Sequence, residues 1–283
     1  MNDNNRKLQL CEIDYTNVWP VTHYFPIMHY QNEIELIRSV PAILNGRMLE
    51  GSIDVGPISS FAYGVSHRHY LLMPKLSVSA YGPVRSILLF YRGDLEQVKH
   101  GSIALTKTSA TSVNLLKIIM QKFYGGSPVY QVEEPVLLDM MARHDAALLI
   151  GDDAIRESWQ DNGYNTLDLG AEWTRLTGHS MTYAVWAIRR DAAERYPELL
   201  ARIVRDYVES KRKAKLDPND VIQAAIARMG GTTNYWQMYF GGLTHDLDSE
   251  QCAGLQLYYE YALELGLLQE PVEHQFFHLK GYG

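Results

Sequence analysis

Hydroxyl side chains are concentrated where one predicted strand meets the following helix. The apolar residues 102–105 are followed by the sequence Thr106-Lys107-Thr108-Ser109-Ala110-Thr111-Ser112. Ser109 or Thr111 can cap the helix, but a cap needs only one hydroxyl. The additional hydroxyls, the unpaired backbone N–H groups and the helix dipole together favour an anion. We therefore expect Ser109, Thr111 and Ser112 to bind a carboxylate or a phosphate, with simple capping as the alternative.

A second pair of hydroxyls has the same kind of position earlier in the chain. Ser59 and Ser60 directly follow the apolar strand that ends in Asp54-Val55-Gly56-Pro57-Ile58. One serine is sufficient to cap the next helix. The other is predicted to face a ligand, because the helix start favours an anion there as well.

Further polar residues lie at strand ends. Asn17 follows the predicted strand 7–13 and precedes Trp19-Pro20, which predicts a stiff corner that carries a neutral amide. Ser86 follows Gly82-Pro83-Val84-Arg85 and begins an apolar run. Because strand side chains alternate between faces, only one of Arg85 and Ser86 can easily face a binding site. We favour Ser86, and Arg85 remains a candidate for pairing with an anion.

Asp152 is another candidate contact, because it directly follows the predicted strand 146–150 and Gly151. Aspartate is a leading residue at helix N-caps, so capping is one interpretation. A hydrogen bond from a substrate hydroxyl to the carboxylate is the other.

The composition argues against several classes of protein. The chain has 283 residues, is 46% hydrophobic and carries a formal net charge of −7, so we expect no nucleic-acid partner. We also expect a cytoplasmic protein without membrane contact, because no signal segment or bilayer-spanning run is found. Motifs for dinucleotides, nucleotide phosphates and zinc proteases do not occur in the sequence, which argues against hydride transfer, ATP chemistry and zinc hydrolysis, and we expect no metal site.

Short apolar runs alternate with amphipathic segments, which is typical of an α/β fold. Strands are predicted at 7–13, 53–57, 76–79, 86–91, 102–105, 146–150 and 182–188. Helices are predicted from 33–36 onward and at 59–64, 111–123, 136–143, 152–157, 171–177, 191–196 and onward, 218–229 and 249–267.

Two lobes follow from this order of elements. Gly82-Pro83 and Gly178-His179-Ser180 mark the places where the chain is predicted to cross between them. Lobe 1 is then 1–90 plus 179–283, including the C-terminal helices, and lobe 2 is 91–178. A ligand is predicted to bind in the cleft between the lobes. We expect a monomer or a homodimer.

Several motifs together resemble a known family. They are Asn17 with Pro20, Asp54-Val55-x-Pro57-Ile58-Ser59-Ser60, Gly82-Pro83-Val84-x-Ser86-Ile87-Leu88-Leu89, Ser109-x-Thr111-Ser112, Ile150-Gly151-Asp152-x-Ala154, Asp168-Leu169-Gly170-x-Glu172-Trp173 and Tyr183-Ala184-Val185-Trp186-Ala187. The set resembles the MqnA family, the chorismate dehydratases of the futalosine route to menaquinone. Thr16 is a departure, since a residue such as Leu is expected at that position.

The resemblance implies a fold like that of type II periplasmic binding proteins and a cytoplasmic lyase without a cofactor. Its reaction removes water from chorismate, the expected small-molecule partner, and yields 3-[(1-carboxyvinyl)oxy]benzoate. Family functional positions carry over onto Asn17 and Ser86. The serines at 59–60 and the hydroxyls at 109–112 match the family's carboxylate-binding elements.

The roles of these residues stay open at this point. No histidine or glutamate stands out as the base, so the enolpyruvyl carboxylate of the substrate is one candidate for taking the ring proton. Asn17 can hold the departing hydroxyl or a carboxylate, and Ser86 the enolpyruvyl carboxylate or the leaving oxygen.

Two other functions use the same cleft. The sister enzyme of the pathway makes a dihydroxynaphthoate. It is expected to have a histidine base and an asparagine-rich motif near its start, and we do not find the asparagine-rich motif. A non-catalytic protein that binds small carboxylates is the second alternative.

Overall fold

The computed structural model describes residues 6–279, within which the chain forms eleven strands in two separate sheets. In chain order the strands are β1 (Leu8–Ile13), β2 (Ile34–Ser39), β3 (Val55–Ser59), β4 (Tyr70–Ala80), β5 (Ile87–Tyr91), β6 (Ser102–Thr106), β7 (Val129–Glu133), β8 (Ala146–Ile150), β9 (Asn165–Asp168), β10 (Met181–Arg189) and β11 (Leu243–Thr244).

The first sheet contains strands from both ends of the chain, in the order β11-β4-β10-β3-β1-β2. β1 is parallel to both its neighbours, and Leu10 lies opposite Leu36 on one side and Val55 on the other. β10 is antiparallel to β3 and β4. Every residue of β3 is buried, which explains why the sheet centre is recognisable as continuous apolar runs.

The second sheet has the order β7-β6-β8-β5-β9 and comes entirely from the middle of the chain. β6 is parallel to β7 and β8, whereas β5 is antiparallel to β8 and β9. β8 is buried along its whole length, and β7 forms an exposed edge.

Helices cover both sheets. They are α1 (Trp19–Thr22), α2 (Pro41–Glu50), α3 (Ser60–Ser66), α4 (Leu95–Val98), α5 (Thr111–Ile118), α6 (Leu137–Arg143), α7 (Gly151–Ser158), α8 (Leu169–Thr177), α9 (Arg190–Arg195), α10 (Pro197–Leu216), α11 (Asn219–Met229), α12 (Thr233–Gly241) and α13 (Ser249–Glu264). A short 3₁₀ turn, Thr16–Val18, precedes α1, and a π-helical segment, Ile119–Phe123, continues α5. Among residues 6–279 no helix has the length and apolar character that crossing a membrane requires.

The last helix joins the two hydroxyl-rich helix starts. Tyr258 and Tyr259 of α13 are buried, as expected for an apolar stripe that faces the core. The Tyr259 hydroxyl donates to the Ser60 carbonyl at 2.7 Å, and the Tyr258 hydroxyl donates to the Thr111 carbonyl at 3.1 Å. α13 therefore fixes the start of α3 relative to the start of α5.

Some predictions of elements are wrong. Residues 34–39 form strand β2, not the start of a helix, because this six-residue segment pairs along its whole length with β1. The predicted lobe boundary at 90/91 falls inside β5, which pairs only in the second sheet. The strands β7 and β9 were not predicted, since neither contains a fully buried residue. The ends of predicted lobe 1, 1–5 and 280–283, lie outside the described residues.

Candidate functional site

A small cavity lies between the two sheets, at the ends of β1, β3 and β8 and at the starts of β5 and α5. Its volume is about 40 Å³. The lining residues are Ile13, Tyr15, Asn17, Pro41, Ser59, Ser86, Ile87, Ser109, Ser112, Ile150, Gly151, Tyr183 and Ala184. Five of the nine residues predicted to form the site are thus brought together, from positions far apart in the chain.

Asn17 reaches the cavity from the 3₁₀ turn that follows β1. Its side-chain oxygen Oδ1 is buried and has no hydrogen-bond partner among the described residues. A buried polar atom without a partner is costly, and such atoms are often found where a ligand binds. The backbone of Asn17 is held in place, because its carbonyl accepts a hydrogen bond from Nε2 of His245 at 2.7 Å.

Ser86 is buried at the crossover before β5. Its hydroxyl lies 3.4 Å from the Val84 carbonyl, a weak contact that leaves the group able to bind a ligand. Arg85 points elsewhere and donates to the Pro83 carbonyl at 3.2 Å, outside the cavity lining. At this crossover Ser86 lines the cavity and Arg85 does not.

Ser59 caps helix α3 and also lines the cavity. Its Oγ accepts from the backbone N–H of Ala62 at 3.2 Å and from Nδ2 of Asn45 at 3.1 Å. The Oδ1 of Asn45 accepts in return from the backbone N–H of Ser59. Because two donors already occupy the oxygen, the hydroxyl proton of Ser59 is left to donate, which suits an anion.

Ser109 plays the corresponding part at α5. Its Oγ accepts from the backbone N–H of Ser112 at 3.1 Å, and both serines line the cavity. Thr111 does not line it, because its Oγ1 instead accepts from the backbone N–H of Phe61 in α3 at 3.0 Å. Ser60 is buried beside the lining, and its Oγ has no hydrogen-bond partner within residues 6–279. At each helix start one serine accepts a backbone N–H of the first turn and also lines the cavity.

Asp152 contacts the first lobe at a position outside the cavity lining. Its Oδ1 accepts from both the backbone N–H and the hydroxyl of Thr16, at 3.0 and 2.8 Å. Burial raises the pKa of the Asp152 carboxyl, while the hydrogen bonds from Thr16 and the charge of Arg228 lower it in part. The side chain of Thr16, the residue that departs from the family pattern, is therefore a hydrogen-bonding link between the lobes.

Tyr15 and Tyr183 complete the wall of the cavity, and the sequence patterns predicted neither of them as a site residue. Burial raises the pKa of Tyr15 to about 12 and that of Tyr183 well above its ordinary value. The ring of Tyr15 packs on Gly151, where a Cβ would lie 2.9 Å from ring carbons and φ is +59°. Only glycine fits that position without strain. The one available signal for Tyr183 was its place in a strand that returns to the cleft.

The site is polar but neutral. No lining residue in the described part of the chain is Asp, Glu, Lys, Arg or His. No group of three or more potential metal ligands occurs between residues 6 and 279 either. The arrangement offers hydroxyl and amide hydrogen bonds to a ligand, and any ionised group must come with the ligand.

The sequence and the fold have recognisable relatives. Residues 8–264 match the profile of a family described as "Menaquinone biosynthesis". The chorismate dehydratase of Thermus thermophilus is 30% identical over 274 residues, which are 91% of this chain and 95% of that protein. This match confirms the family that the sequence motifs predicted.

Solved structures with the same fold include proteins of low sequence similarity. A protein from Archaeoglobus fulgidus superposes with a TM-score of 0.73 at 19% identity, covering 95% of this chain and all of that one. The periplasmic aliphatic sulphonate binding protein SsuA from Escherichia coli has a TM-score of 0.66 at 15% identity, over 94% of this chain and 89% of that one. These structures confirm the predicted fold class. Because the family match spans most of the sequence, the chain belongs to the menaquinone biosynthesis family.

Proposed function

We propose that the chain is a chorismate dehydratase that forms 3-[(1-carboxyvinyl)oxy]benzoate and water, with the cavity between the sheets as its active site. The observation that carries the proposal is the lining of this cavity, which combines serine hydroxyls with an unpaired amide oxygen. The relative from T. thermophilus has this name, and its similarity extends over 91% of the chain.

Chorismate carries two carboxylates and one ring hydroxyl. The carboxylates need donors, which the hydroxyls of Ser59 and Ser109 supply, because each oxygen already accepts a backbone N–H. Hydrogen bonds to the ring carboxylate also stabilise the negative charge that spreads onto it when the ring proton is lost.

Asn17 then holds the hydroxyl that departs. Its buried Oδ1 accepts hydrogen bonds but cannot donate them, so its partner must be a donor. When both carboxylates are ionised, the ring hydroxyl is the one O–H or N–H donor that chorismate has. The partner of Asn17 Oδ1 is therefore the departing hydroxyl and not a carboxylate. The carboxylates are bound by Ser59, Ser109 and Ser86.

The elimination breaks one ring C–H bond and the C–OH bond, and the ring becomes aromatic. The lining offers no ionisable carboxylate or imidazole as a base within the described residues. We propose that the enolpyruvyl carboxylate of the substrate takes the ring proton and passes it to the departing hydroxyl, which leaves as water, so that the carboxylate is regenerated. The protein contributes orientation, by folding the enolpyruvyl group over the ring.

The substrate needs more room than the closed cavity provides. Pockets for small ligands have volumes of about 300–1,000 Å³, whereas this cavity measures about 40 Å³. We propose that the lobes separate to admit chorismate. Separation breaks the hydrogen bonds that join Asp152 to Thr16, Thr111 to Phe61 and Tyr258 to the Thr111 carbonyl.

The sister enzyme remains the second candidate, with less support. Its expected histidine base has no counterpart in the lining among residues 6–279. His245 lies outside the lining and donates to the backbone carbonyl of Asn17.

The test is turnover of chorismate by the purified chain, followed by absorbance and by mass for the loss of one water. Asn17→Asp keeps the shape of the side chain but adds a negative charge beside the departing hydroxide, so kcat/KM should fall at least about a hundredfold. Asn234→Asp, at an exposed position of α12, is the matched control and should behave as wild type.

Three outcomes contradict the proposal, the first at the level of one residue and the other two at the level of the function. Full activity of Asn17→Asp excludes the role of Asn17. A wild-type protein that leaves chorismate unchanged but converts a cyclised futalosine supports the sister enzyme, and one that binds chorismate without converting it supports a binding protein.

A further inference from the structure

A second, larger cavity lies in the first lobe, on the side of Asn17 that faces away from the active site. Its volume is about 320 Å³, which falls in the range of about 300–1,000 Å³ that small-molecule pockets have. It is formed where α10, α11, α12 and β11 meet. His245 is a lining residue, and the same imidazole donates to the Asn17 carbonyl.

One wall of this cavity is apolar. It is formed by Val221 and Ile222 of α11, Phe240 of α12 and Leu243 of β11, all of them packed in the core. Such a wall stabilises a ring or a branched aliphatic group through the hydrophobic effect.

The other wall carries positive charge. Lys211 and Lys215, one turn apart on α10, face a single carboxylate, Asp246. The ammonium group of Lys211 donates to Asp246 Oδ1 and to the Lys75 carbonyl, each at 2.5 Å, and to the His245 carbonyl at 3.3 Å. These three bonds use all its donors, so Lys215 is the cation placed to meet a ligand.

We propose that this cavity binds a small amphipathic carboxylate, with its apolar body against Ile222 and Phe240 and its carboxylate towards Lys215. The wall chemistry and the excess of one positive charge carry the inference. The site is distinct from the active site and does not depend on the proposed reaction.

Occupancy of this cavity is coupled to the active site through His245. A carbonyl oxygen only accepts, so the proton shared with Asn17 is on Nε2 and the neutral ring has an acceptor at Nδ1. The ring is part of the cavity wall, and a ligand that shifts it also shifts the turn that carries Asn17. Coupling of binding is reciprocal. A ligand in this cavity therefore changes the affinity for substrate by the same factor by which bound substrate changes the affinity for that ligand.

Calorimetric titration with benzoate, an aromatic carboxylate, tests the binding site. We expect benzoate to bind, benzamide to bind much more weakly, and Lys215→Gln to weaken benzoate binding by about tenfold, the loss of one charge-assisted hydrogen bond. Lys213→Gln, an exposed lysine of the same helix, is the matched control and should leave binding unchanged.

Gly241→Leu is a second variant that fills the cavity. Gly241 lines it, and a Cβ there meets no atom within 4 Å, so a side chain at this position can begin without a clash and extend into the cavity. Benzoate binding should be lost in this variant. Binding that is equal in wild type, Lys215→Gln and Gly241→Leu would place benzoate elsewhere and overturn the proposal, as would no binding at millimolar benzoate.

The coupling has its own measurement. Saturating benzoate should change KM for chorismate in wild type, and the change should be absent in Gly241→Leu. An equal effect in both proteins indicates competition at the active site and excludes the coupling. Loss of turnover in every protein would contradict the proposed function only, because the titrations do not depend on activity.

Discussion

His245 holds Asn17 in position, and its protonation state affects the free energy of unfolding. It is buried, and its Nε2 supports the turn that carries Asn17. Burial lowers the pKa of its imidazole from 6.5 to about 4, while the hydrogen bond to Asn17 raises it in part. The ring is therefore neutral at pH 7 and acts as a fixed donor.

This pKa shift predicts a loss of stability in weak acid. Between pH 6.5 and about 4 the unfolded chain binds a proton that folded His245 does not. The free energy of unfolding should therefore fall as the pH falls through this window, by about 3 kcal/mol in total. Urea denaturation across the window measures the loss.

His245→Gln provides the comparison, because the amide can keep the hydrogen bond to Asn17 but does not titrate. The difference between wild type and variant isolates His245 from the other ionisable groups. Parallel pH dependences of the two proteins would contradict the assigned pKa.

At the scale of elements, one carboxylate joins the two crossovers between the sheets. Asp168 at the N-terminus of α8 accepts the backbone N–H groups of Gly170 and Ala171 in its own helix. It also accepts those of Val84 and Arg85 in the other crossover, at 3.1 and 2.7 Å. Arg85 has φ of +60°, an uncommon conformation for a residue with a side chain, and these bonds hold it there.

Asp168→Ala removes an acceptor for four N–H groups at once. The free energy of unfolding should fall by about 2–4 kcal/mol, as expected for a lost cap together with unpaired backbone donors. Asp161→Ala, at an exposed position, is the control and should have a negligible effect. Equal stability of the two variants in chemical denaturation would show that the crossovers do not depend on Asp168.

At the scale of the whole molecule, the hydrogen bonds between Asp152 and Thr16 favour the closed arrangement of the lobes. Thr16 is fully buried, and its hydroxyl donates to a carboxylate that burial makes harder to ionise. Hydrogen bonds to charged groups contribute about 1.5–3 kcal/mol each. Such a contribution is large enough to decide the populations of open and closed forms.

Thr16→Val keeps the shape of the side chain and removes one of the two bonds. The ratio of closed to open molecules should fall about tenfold or more. Small-angle X-ray scattering should then show a larger radius of gyration without ligand, and chorismate turnover a changed KM. Thr166→Val, exposed in β9, is the control. A radius of gyration identical to that of wild type would show that the hydrogen bond from the Thr16 hydroxyl does not favour the closed form.

The sequence by itself determined the elements whose signals are local. Buried strands such as β3 and β8 are continuous apolar runs, and hydroxyls next to them predicted the helix starts that bear Ser59 and Ser109. The sequence did not predict edge strand β7, because its residues are exposed and do not form an apolar pattern. The segment that forms β2 predicts a helix as readily as a strand, because six residues cannot distinguish the two periods.

Only the tertiary structure decided which of these residues meet. Asp152 and Thr16 are 136 positions apart, and Asn17 and His245 are 228 apart. Pairings at such distances depend on how strands and helices far apart in the chain pack together, which no local pattern of side chains encodes. For the same reason the sequence predicted serines and an amide with suitable chemistry, whereas the closed cavity and its tyrosine wall follow from packing across the lobes, and the support behind Asn17 follows from packing within the first lobe.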